Sequence, residues 1–178
     1  PDRPPVSFWH HFPKSQWAGP AGRDAHLEHL RRYDLDFLKV MNDNGYPRPS
    51  DSPLSSPRDL RELKVYRGDE GPFGAQLELI SLLAEALKGE VLMCTTVFNA
   101  WATLRRLVVE PSDKHGPPSM EVGNDPRDAR LTELLRADRD AVAQALQTIG
   151  TSLANFAARC IEAGADGIFL SVRDDWVD

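Results

Sequence analysis

Residues 73–97, FGAQLELISLLAEALKGEVLMCTTV, decide the fold. The first part of this stretch repeats apolar side chains three or four positions apart, which predicts an amphipathic helix over residues 73–88. Gly89 ends the helix, and the apolar, β-branched run at 90–97 predicts a strand directly after it. A largely apolar strand is typical of a sheet covered on both faces, and such sheets are parallel with helical connections.

The same alternation of strands and helices extends to both sides of this stretch. Further strands are predicted at residues 6–12, 37–43 and 167–172, and further helices at 23–33, 58–66, 99–109 and 138–163. Gly164 follows the last helix at the position of a C-cap glycine. The Pro-rich and Gly-rich segments at 46–57 and 111–126 are predicted to be loops. This order predicts an α/β protein with a parallel sheet.

The number of βα units indicates an incomplete barrel. About four units fill the 178 residues, whereas a closed (β/α)8 TIM barrel has eight. Four units alone would expose two parallel sheet edges, which favours aggregation. We therefore interpret residues 1–178 as a single (β/α) domain that supplies about the first half of a TIM barrel. The alternative is a small doubly wound sheet that is complete in itself.

Composition and charge exclude several classes of protein. With 41% hydrophobic and 27% charged residues, the chain is globular rather than disordered. The net charge is −6 and the basic residues are scattered among acids, so we expect no nucleic-acid partner. No apolar run approaches the roughly 20 residues of a membrane span, so we expect no membrane partner. Cys94 and Cys160 lie far apart in apolar runs, which favours a reduced, cytoplasmic protein over a disulfide scaffold.

Polar side chains stand where the predicted strands end, and this is where βα barrels place their chemistry. The four strand ends carry, in chain order, His10 and His11, then Asn42 and Asp43, then Thr95, Thr96 and Asn99, and finally Ser171, Arg173, Asp174 and Asp175. We expect His10, Asp43, Thr96 and Arg173 to project from neighbouring parallel strands around one shared pocket.

Several of these segments resemble the uroporphyrinogen decarboxylase family. Residues 5–10, PVSFWH, are similar to the opening strand of that family. Residues 33–43, YDLDFLKVMND, look like its second-strand segment, in which the strand ends in a Ser-Asp pair where this chain has Asn-Asp. Residues 92–110 resemble the third strand and its helix, and 164–170, GADGIFL, resemble a later strand start. The resemblance runs over nearly the whole chain in the right order.

The resemblance implies a cofactor-free carboxy-lyase that removes the acetate carboxyl groups of uroporphyrinogen in haem biosynthesis. In the family, the aspartate that matches Asp43 contacts the pyrrole N–H groups of the folded tetrapyrrole. Protonation of the ring carbon places positive charge on the pyrrole, and a fixed carboxylate stabilises that charge. The pyrrole is its own electron sink, so no cofactor is expected. The residues alone also allow Asp43 to be a turn residue beside Asn44 and Gly45.

The resemblance also implies substrate-binding residues around Asp43. The places of the family's two strand-one arginines are held here by His10 and Lys14. Lysine lacks the bidentate fork for a carboxylate, and histidine carries charge only when protonated. The expected substrate-binding set is His10, His11, Lys14, Asn42, Thr96, Ser171 and Arg173.

Two groups of histidines have the spacing of metal ligands. His10 or His11 together with Asp43 would supply ligands to a divalent ion, although alternation along a strand sends only one of the two inward. His26 and His29 lie three apart on a predicted helix, where we expect them on an exposed polar face. We therefore predict no metal site in this chain.

Two functional alternatives stay open. The superfamily includes corrinoid-dependent methyltransferases, whose zinc is bound by His and Cys residues in the second half of the barrel. A non-catalytic half-barrel partner module is the other alternative, and it predicts a homodimer that buries the sheet edges. The leading expectation is an enzyme whose partner is a small molecule, either a tetrapyrrole or a corrinoid-like compound.

Overall fold

Parallel pairing of two buried strands organises the sheet. The computed structural model describes residues 3–109 and 125–172. Strand β1 (Leu38–Val40) pairs in parallel with β2 (Met93–Phe98). Strand β3 (Gly167–Ser171) is the other neighbour of β2, so the sheet order is β1-β2-β3.

Strand β3 starts at the same edge of the sheet as β2. Met93, the first residue of β2, donates its backbone N–H to Asp166 Oδ2 at 2.7 Å. Asp166, directly before β3, returns its backbone N–H to the Met93 carbonyl at 2.8 Å. The two strand starts therefore face each other, and the α/β class with a parallel sheet is confirmed. The TIM barrel stays a prediction.

Six α-helices occur in the described residues. They are α1 (Gly19–Arg32), α2 (Pro57–Arg61), α3 (Pro72–Leu87), α4 (Ala100–Leu107), α5 (Pro126–Ala137) and α6 (Arg139–Glu162). A short 3-10 helix precedes α1 at Lys14–Gln16. Although α6 has 24 residues, neither it nor any other helix in the described ranges is apolar enough over a sufficient length to cross a membrane.

Most predicted helices are present with small shifts in their ends, the predicted end of one is wrong, and one further helix was not predicted. The helix predicted at residues 58–66 ends at Arg61. Helix α5 was not expected, because its Pro126 is the last residue of a segment predicted to be irregular. Pro126 occupies the first turn of the helix and Asp125 is its N-cap, accepting the Arg127 backbone N–H at 2.9 Å.

The strand predicted at residues 6–12 is also wrong, because these residues form no regular secondary structure. The Val6 carbonyl accepts the backbone N–H of Asp36 at 3.0 Å, and two further carbonyls of the segment accept hydrogen bonds from side chains. His29 Nε2 donates to the Phe8 carbonyl at 3.0 Å, and Trp17 Nε1 donates to the Phe12 carbonyl at 2.8 Å. Alternating aromatic and polar residues indicated a strand, but residues 6–12 form an irregular segment that covers one side of α1. We call this segment the strap.

The described residues divide into two units. The first comprises residues 3–47, Tyr66–Val97 and Ala154–Ser171, and therefore holds most of the sheet, α1, α3 and the end of α6. The second includes Arg48–Val65 and residues 98–109 and 125–153, with α2, α4 and α5. The prediction of one domain over the whole chain stays a prediction.

Stacked aromatic rings form the centre of the first unit. Phe73 of α3 and Phe156 of α6 are fully buried, with ring centroids 4.3 Å apart and an angle of 12° between the rings. Tyr46 and Tyr66 meet Phe73 edge-on at 5.4 and 6.4 Å. Gly68 lies against this pair, since a Cβ there would approach the Phe156 backbone nitrogen to 2.6 Å.

Ion pairs and backbone capping hold the second unit together. Arg105 of α4 pairs with Asp125 and Asp128 at the start of α5, at 3.2 and 2.6 Å. Arg48 donates to the Leu107 and Val109 carbonyls at the end of α4. These carbonyls lack helical partners, so a cation there satisfies them.

Helix α6 ends in a glycine-dependent cap, as the sequence predicts. Gly164 has φ +107° and donates its N–H to the Ile161 carbonyl at 3.0 Å. Ala165 donates to the Cys160 carbonyl, also at 3.0 Å, which completes a Schellman motif. A Cβ at Gly164 would lie 2.6 Å from Ala84 Cβ, so α6 can end beside α3 only without a side chain here.

We expect Gly164→Ala to destabilise the protein more than the matched variant Gly89→Ala. Both glycines have positive φ, which costs an alanine about 1–2 kcal/mol, but no atom lies within 4 Å of a Cβ at Gly89. Overpacking against Ala84 adds about 1–3 kcal/mol at Gly164 alone. Urea unfolding of both variants measures the difference, and equal losses would contradict the crowding.

Candidate functional site

The carboxyl ends of the strands bring three predicted site residues to one edge of the sheet. Val40, the last residue of β1, is opposite Thr95 of β2, so Thr96 lies level with the start of the loop that carries Asp43. Ser171 is the last residue of β3. Because parallel strands end at the same edge, this is where an α/β sheet binds ligands.

Asp43 is a buried carboxylate held by a histidine. Its side chain is 6% exposed, and Oδ1 accepts a hydrogen bond from His11 Nδ1 at 2.6 Å. The His11 side chain is 45% exposed, so the imidazole lies between the carboxylate and the solvent. A fixed, water-poor carboxylate of this kind stabilises a positive charge that develops close to it.

The strap of residues 6–12 delivers His11 to Asp43 but places His10 elsewhere. His10 is exposed, and its ring contacts Phe12 and His29, with centroids 4.9 and 5.9 Å apart. Its ring therefore packs against α1, and His10 does not stand at the end of a first strand as expected. His11, and not His10, is therefore the histidine that contacts Asp43, and the shared pocket stays a prediction.

The loop after β1 is a turn made by Asn42. Its Oδ1 accepts the Gly45 backbone N–H at 3.1 Å, and Gly45 has φ +80°. The hydrogen bond that closes the turn is made by Asn42, and Asp43 is one of the two residues that the turn encloses, as the turn alternative expected. The turn explains why β1 ends at Val40 and why the Asp43 side chain is available to His11.

A buried amide network fixes this loop to α3. Asn44 Nδ2 donates to the Trp17 carbonyl at 2.9 Å and to Gln76 Oε1 at 2.8 Å. Gln76 is fully buried, and its Nε2 donates to Thr95 Oγ1 at 3.3 Å. The loop, the helix and strand β2 are thereby held in one register next to Asp43.

The two neighbouring threonines of β2 point to opposite faces of the sheet. Thr95 meets Gln76 of α3, so Thr96 points to the other face, which also carries Lys39 and Cys94. We call this face the Lys39 face. Thr96 is 1% exposed, and its Oγ1 has no hydrogen-bond partner among residues 3–109 and 125–172.

Ser171 belongs to the Lys39 face as well. The Phe169 ring lies over the Lys39 ammonium, with Nζ 3.4 Å from the ring centroid. Ser171 follows two residues later on β3 and therefore points the same way. Lys14 is exposed at the start of the short 3-10 helix, with Nζ 6.0 Å from the Trp17 ring. Arg173 lies outside the described residues.

The expectation that His26 and His29 are exposed is wrong. They are 4% and 8% exposed on the buried side of α1. The ring of Phe12, on the strap, contacts His26 at 4.6 Å between centroids. His26 Nδ1 donates to the Gly22 carbonyl at 2.8 Å. Burial lowers the pKa of His26, and the nearby Asp43 charge opposes this effect.

No metal centre is formed by the described part of the chain. Within these ranges, no three His, Cys, Asp or Glu side chains are arranged to hold a metal ion. His11 and Asp43 are two side chains joined by a hydrogen bond, and no third such side chain in the described ranges completes a metal site with them. Asn99, expected at the site, is the N-cap of α4, where its Oδ1 accepts the Ala102 N–H at 2.7 Å.

A comparison with protein families gives one match. The family model described as uroporphyrinogen decarboxylase (URO-D) matches residues 38–178, which is most of the chain. The chain belongs to the uroporphyrinogen decarboxylase family. No curated protein matches it.

The match to the uroporphyrinogen decarboxylase family starts with β1 and divides the candidate site residues. Asn42, Asp43, Thr96, Ser171 and Arg173 lie inside the matched region. The strap and the short 3-10 helix, which carry His10, His11 and Lys14, precede it. The buried carboxylate is therefore part of the family region, whereas the histidine that holds it is part of the preceding segment.

The sequence contained signals for residues that the analysis of strand ends missed. Gln76 lies three or four positions from Phe73, Leu79 and Ile80, so it falls on the apolar stripe of α3. A polar residue on such a stripe indicates a buried hydrogen-bond network. Lys39 gave a similar signal, because it is a charged residue inside an apolar strand.

We expect Gln76→Leu to destabilise the protein by about 1–3 kcal/mol, although leucine has a similar size and suits a buried helix face. The substitution removes the partner of Thr95 and one partner of Asn44. Urea unfolding measures the loss, with Glu78→Gln on the exposed side of α3 as the control. A Gln76→Leu variant as stable as the parent would show that the network does not hold the loop.

Acid should destabilise the folded protein partly through His26. Its pKa is lowered in the folded state, so the unfolded chain binds a proton near pH 6.5 that the folded protein resists. The free energy of unfolding therefore falls as the pH drops through this value. Urea unfolding at about pH 7.5 and about pH 5.5 should show a smaller fall for His26→Gln than for the parent. An identical fall would exclude His26 as a contributor.

Proposed function

We propose that this protein is a uroporphyrinogen decarboxylase-type carboxy-lyase on a TIM barrel, with Asp43 as the carboxylate that stabilises the protonated pyrrole. The single observation that supports it most is the burial of Asp43 at the carboxyl edge of the sheet, inside the region that matches the family. The proposed substrate is a tetrapyrrole with acetate side chains, because this is the substrate for which the family is named.

The proposed reaction uses the pyrrole as its own electron sink. A proton adds to the ring carbon next to the one that carries the acetate, and the ring becomes cationic. The bond to the carboxylate carbon then breaks, carbon dioxide leaves, and its electron pair neutralises the ring. Protonation of the remaining methylene carbon and loss of the added ring proton leave a methyl group on the restored pyrrole. Asp43 acts at the cationic stages, where an opposite charge lowers the energy most.

His11 has the role of a positioning residue in this proposal. Its hydrogen bond to Oδ1 fixes one rotamer of Asp43. The carboxylate therefore loses its conformational entropy before the substrate binds, and not in the reaction itself. The other proposed substrate-binding residues are His10, Lys14, Asn42, Thr96, Ser171 and Arg173. Thr96 and Ser171 offer hydroxyl groups at the same sheet edge, whereas Asn42 already uses its Oδ1 in the turn.

We expect Asp43→Asn to lower kcat for uroporphyrinogen by about 100-fold or more, because the amide keeps the shape and removes the charge. Anaerobic turnover followed by oxidation and separation of the porphyrins measures the product. Asp51→Asn, at an exposed position, is the matched control.

Normal turnover by a folded Asp43→Asn variant would remove Asp43 from the mechanism. A parent protein that transfers methyl groups from a methylcorrinoid to a thiol, and does not decarboxylate uroporphyrinogen, would replace the proposed reaction with the methyltransferase alternative.

A further inference from the structure

Lys39 is a buried cation without an acidic partner. The residue is 7% exposed, in the middle of β1. Its Nζ lies between two aromatic rings, 3.6 Å from the centroid of Trp9 and 3.4 Å from that of Phe169. No carboxylate among residues 3–109 and 125–172 forms an ion pair with it.

The two rings compensate only part of the cost of this burial. Each ring face attracts the ammonium, but these attractions are weaker than the cost of burying a charge without an ion partner. Accordingly, burial lowers the pKa of Lys39. The titratable group that interacts with it is the thiol of Cys94, opposite on β2, and burial raises the pKa of that thiol. The thiol therefore stays neutral near neutral pH and supplies no counter-charge.

An orphaned hydroxyl lies on the same face. Thr96 is two residues along β2 from Cys94, so it is the diagonal neighbour of Lys39 on the Lys39 face. Its Oγ1 is buried without a hydrogen-bond partner among the described residues. Buried polar groups are nearly always paired, so both an ammonium and a hydroxyl on this face lack the partner that their burial requires. One carboxylate satisfies both, because it accepts hydrogen bonds and carries the opposite charge.

We propose that Lys39, with Thr96, binds a carboxylate side chain of the substrate on the Lys39 face. This inference rests on the proposed function, because it names a further contact of the same substrate. Lys39 precedes Asp43 by four residues, so their Cα atoms are at most about 13 Å apart along the chain. A tetrapyrrole spans this separation when a ring nitrogen meets Asp43 and a peripheral carboxylate meets Lys39.

Binding of uroporphyrin, the stable oxidised octacarboxylate, tests the inference. Lys39→Met keeps the apolar stem and removes the charge, and we expect it to weaken binding by about tenfold or more, the usual worth of a charge-assisted hydrogen bond. Lys39→Arg keeps a cation that stacks between aromatic rings, and it should restore most of the affinity. Lys64→Met, at an exposed position, should bind as the parent does. Fluorescence titration gives the dissociation constants.

If Lys39 had only a structural role, its substitution would change the stability of the protein and not its affinity for uroporphyrin. Such a role would lower the melting temperature of Lys39→Met while the folded variant bound uroporphyrin as tightly as the parent, and this result would overturn the inference. If Lys39→Met does not fold, Lys39→Gln removes the charge in the same titration. Binding of uroporphyrin by folded Lys39→Gln as tight as that of the parent would overturn the inference.

The outcomes separate this inference from the proposed function. Lys39-dependent binding of uroporphyrin without turnover of uroporphyrinogen would refute the decarboxylase and keep the carboxylate site. Turnover that depends on Asp43, together with uroporphyrin binding that is unchanged in Lys39→Met, would refute the carboxylate site alone. A parent protein that binds no uroporphyrin would overturn the inference directly.

Discussion

The parallel pairing of β1 with β2 is the constraint on which the rest of this structure depends. It sets Lys39 opposite Cys94 and Val40 opposite Thr95, and a shift by one residue would send each side chain to the other face. The Gln76 amide secures the pairing from the α3 side, since it bonds to Thr95 and to the loop residue Asn44. Burial of Asp43 beside this edge follows from that register.

Two chemically different regions surround the pairing. On the α3 side, polar atoms meet one another and the amide network is satisfied. On the Lys39 face, a cation and a hydroxyl are buried without protein partners among the described residues. The proposed carboxylate site on the Lys39 face rests on this contrast. Membership of the uroporphyrinogen decarboxylase family supports a polycarboxylate tetrapyrrole as that ligand.

The sequence predicted what depends on periodicity and missed what depends on tertiary partners. Helices α3 and α6 and the Gly164 cap follow from local patterns, because amphipathic spacing and positive φ are properties of short segments. The strap at residues 6–12 has strand-like residues. However, its Phe8 and Phe12 carbonyls accept hydrogen bonds from the side chains of His29 and Trp17, which the pattern of the strap itself does not reveal.

The candidate site was predictable to a similar extent. Family resemblance and strand-end position identified Asp43, yet the choice between His10 and His11 as its neighbour depended on the path of the strap. The burial of His26 and His29 was missed for the same reason, because the helix pattern alone does not reveal that the preceding segment folds back over them. Lys39 was missed because it lies inside a strand, away from the strand ends where βα proteins place their functional residues.

A crystal structure with the decarboxylated product, coproporphyrinogen, bound under anaerobic conditions tests the central claim most directly. We expect the pyrrole N–H groups to lie within hydrogen-bond distance of the Asp43 carboxylate, with the macrocycle at the carboxyl edge of β1 and β2. A macrocycle bound elsewhere, with Asp43 still enclosed by His11 and touching no pyrrole, would contradict it.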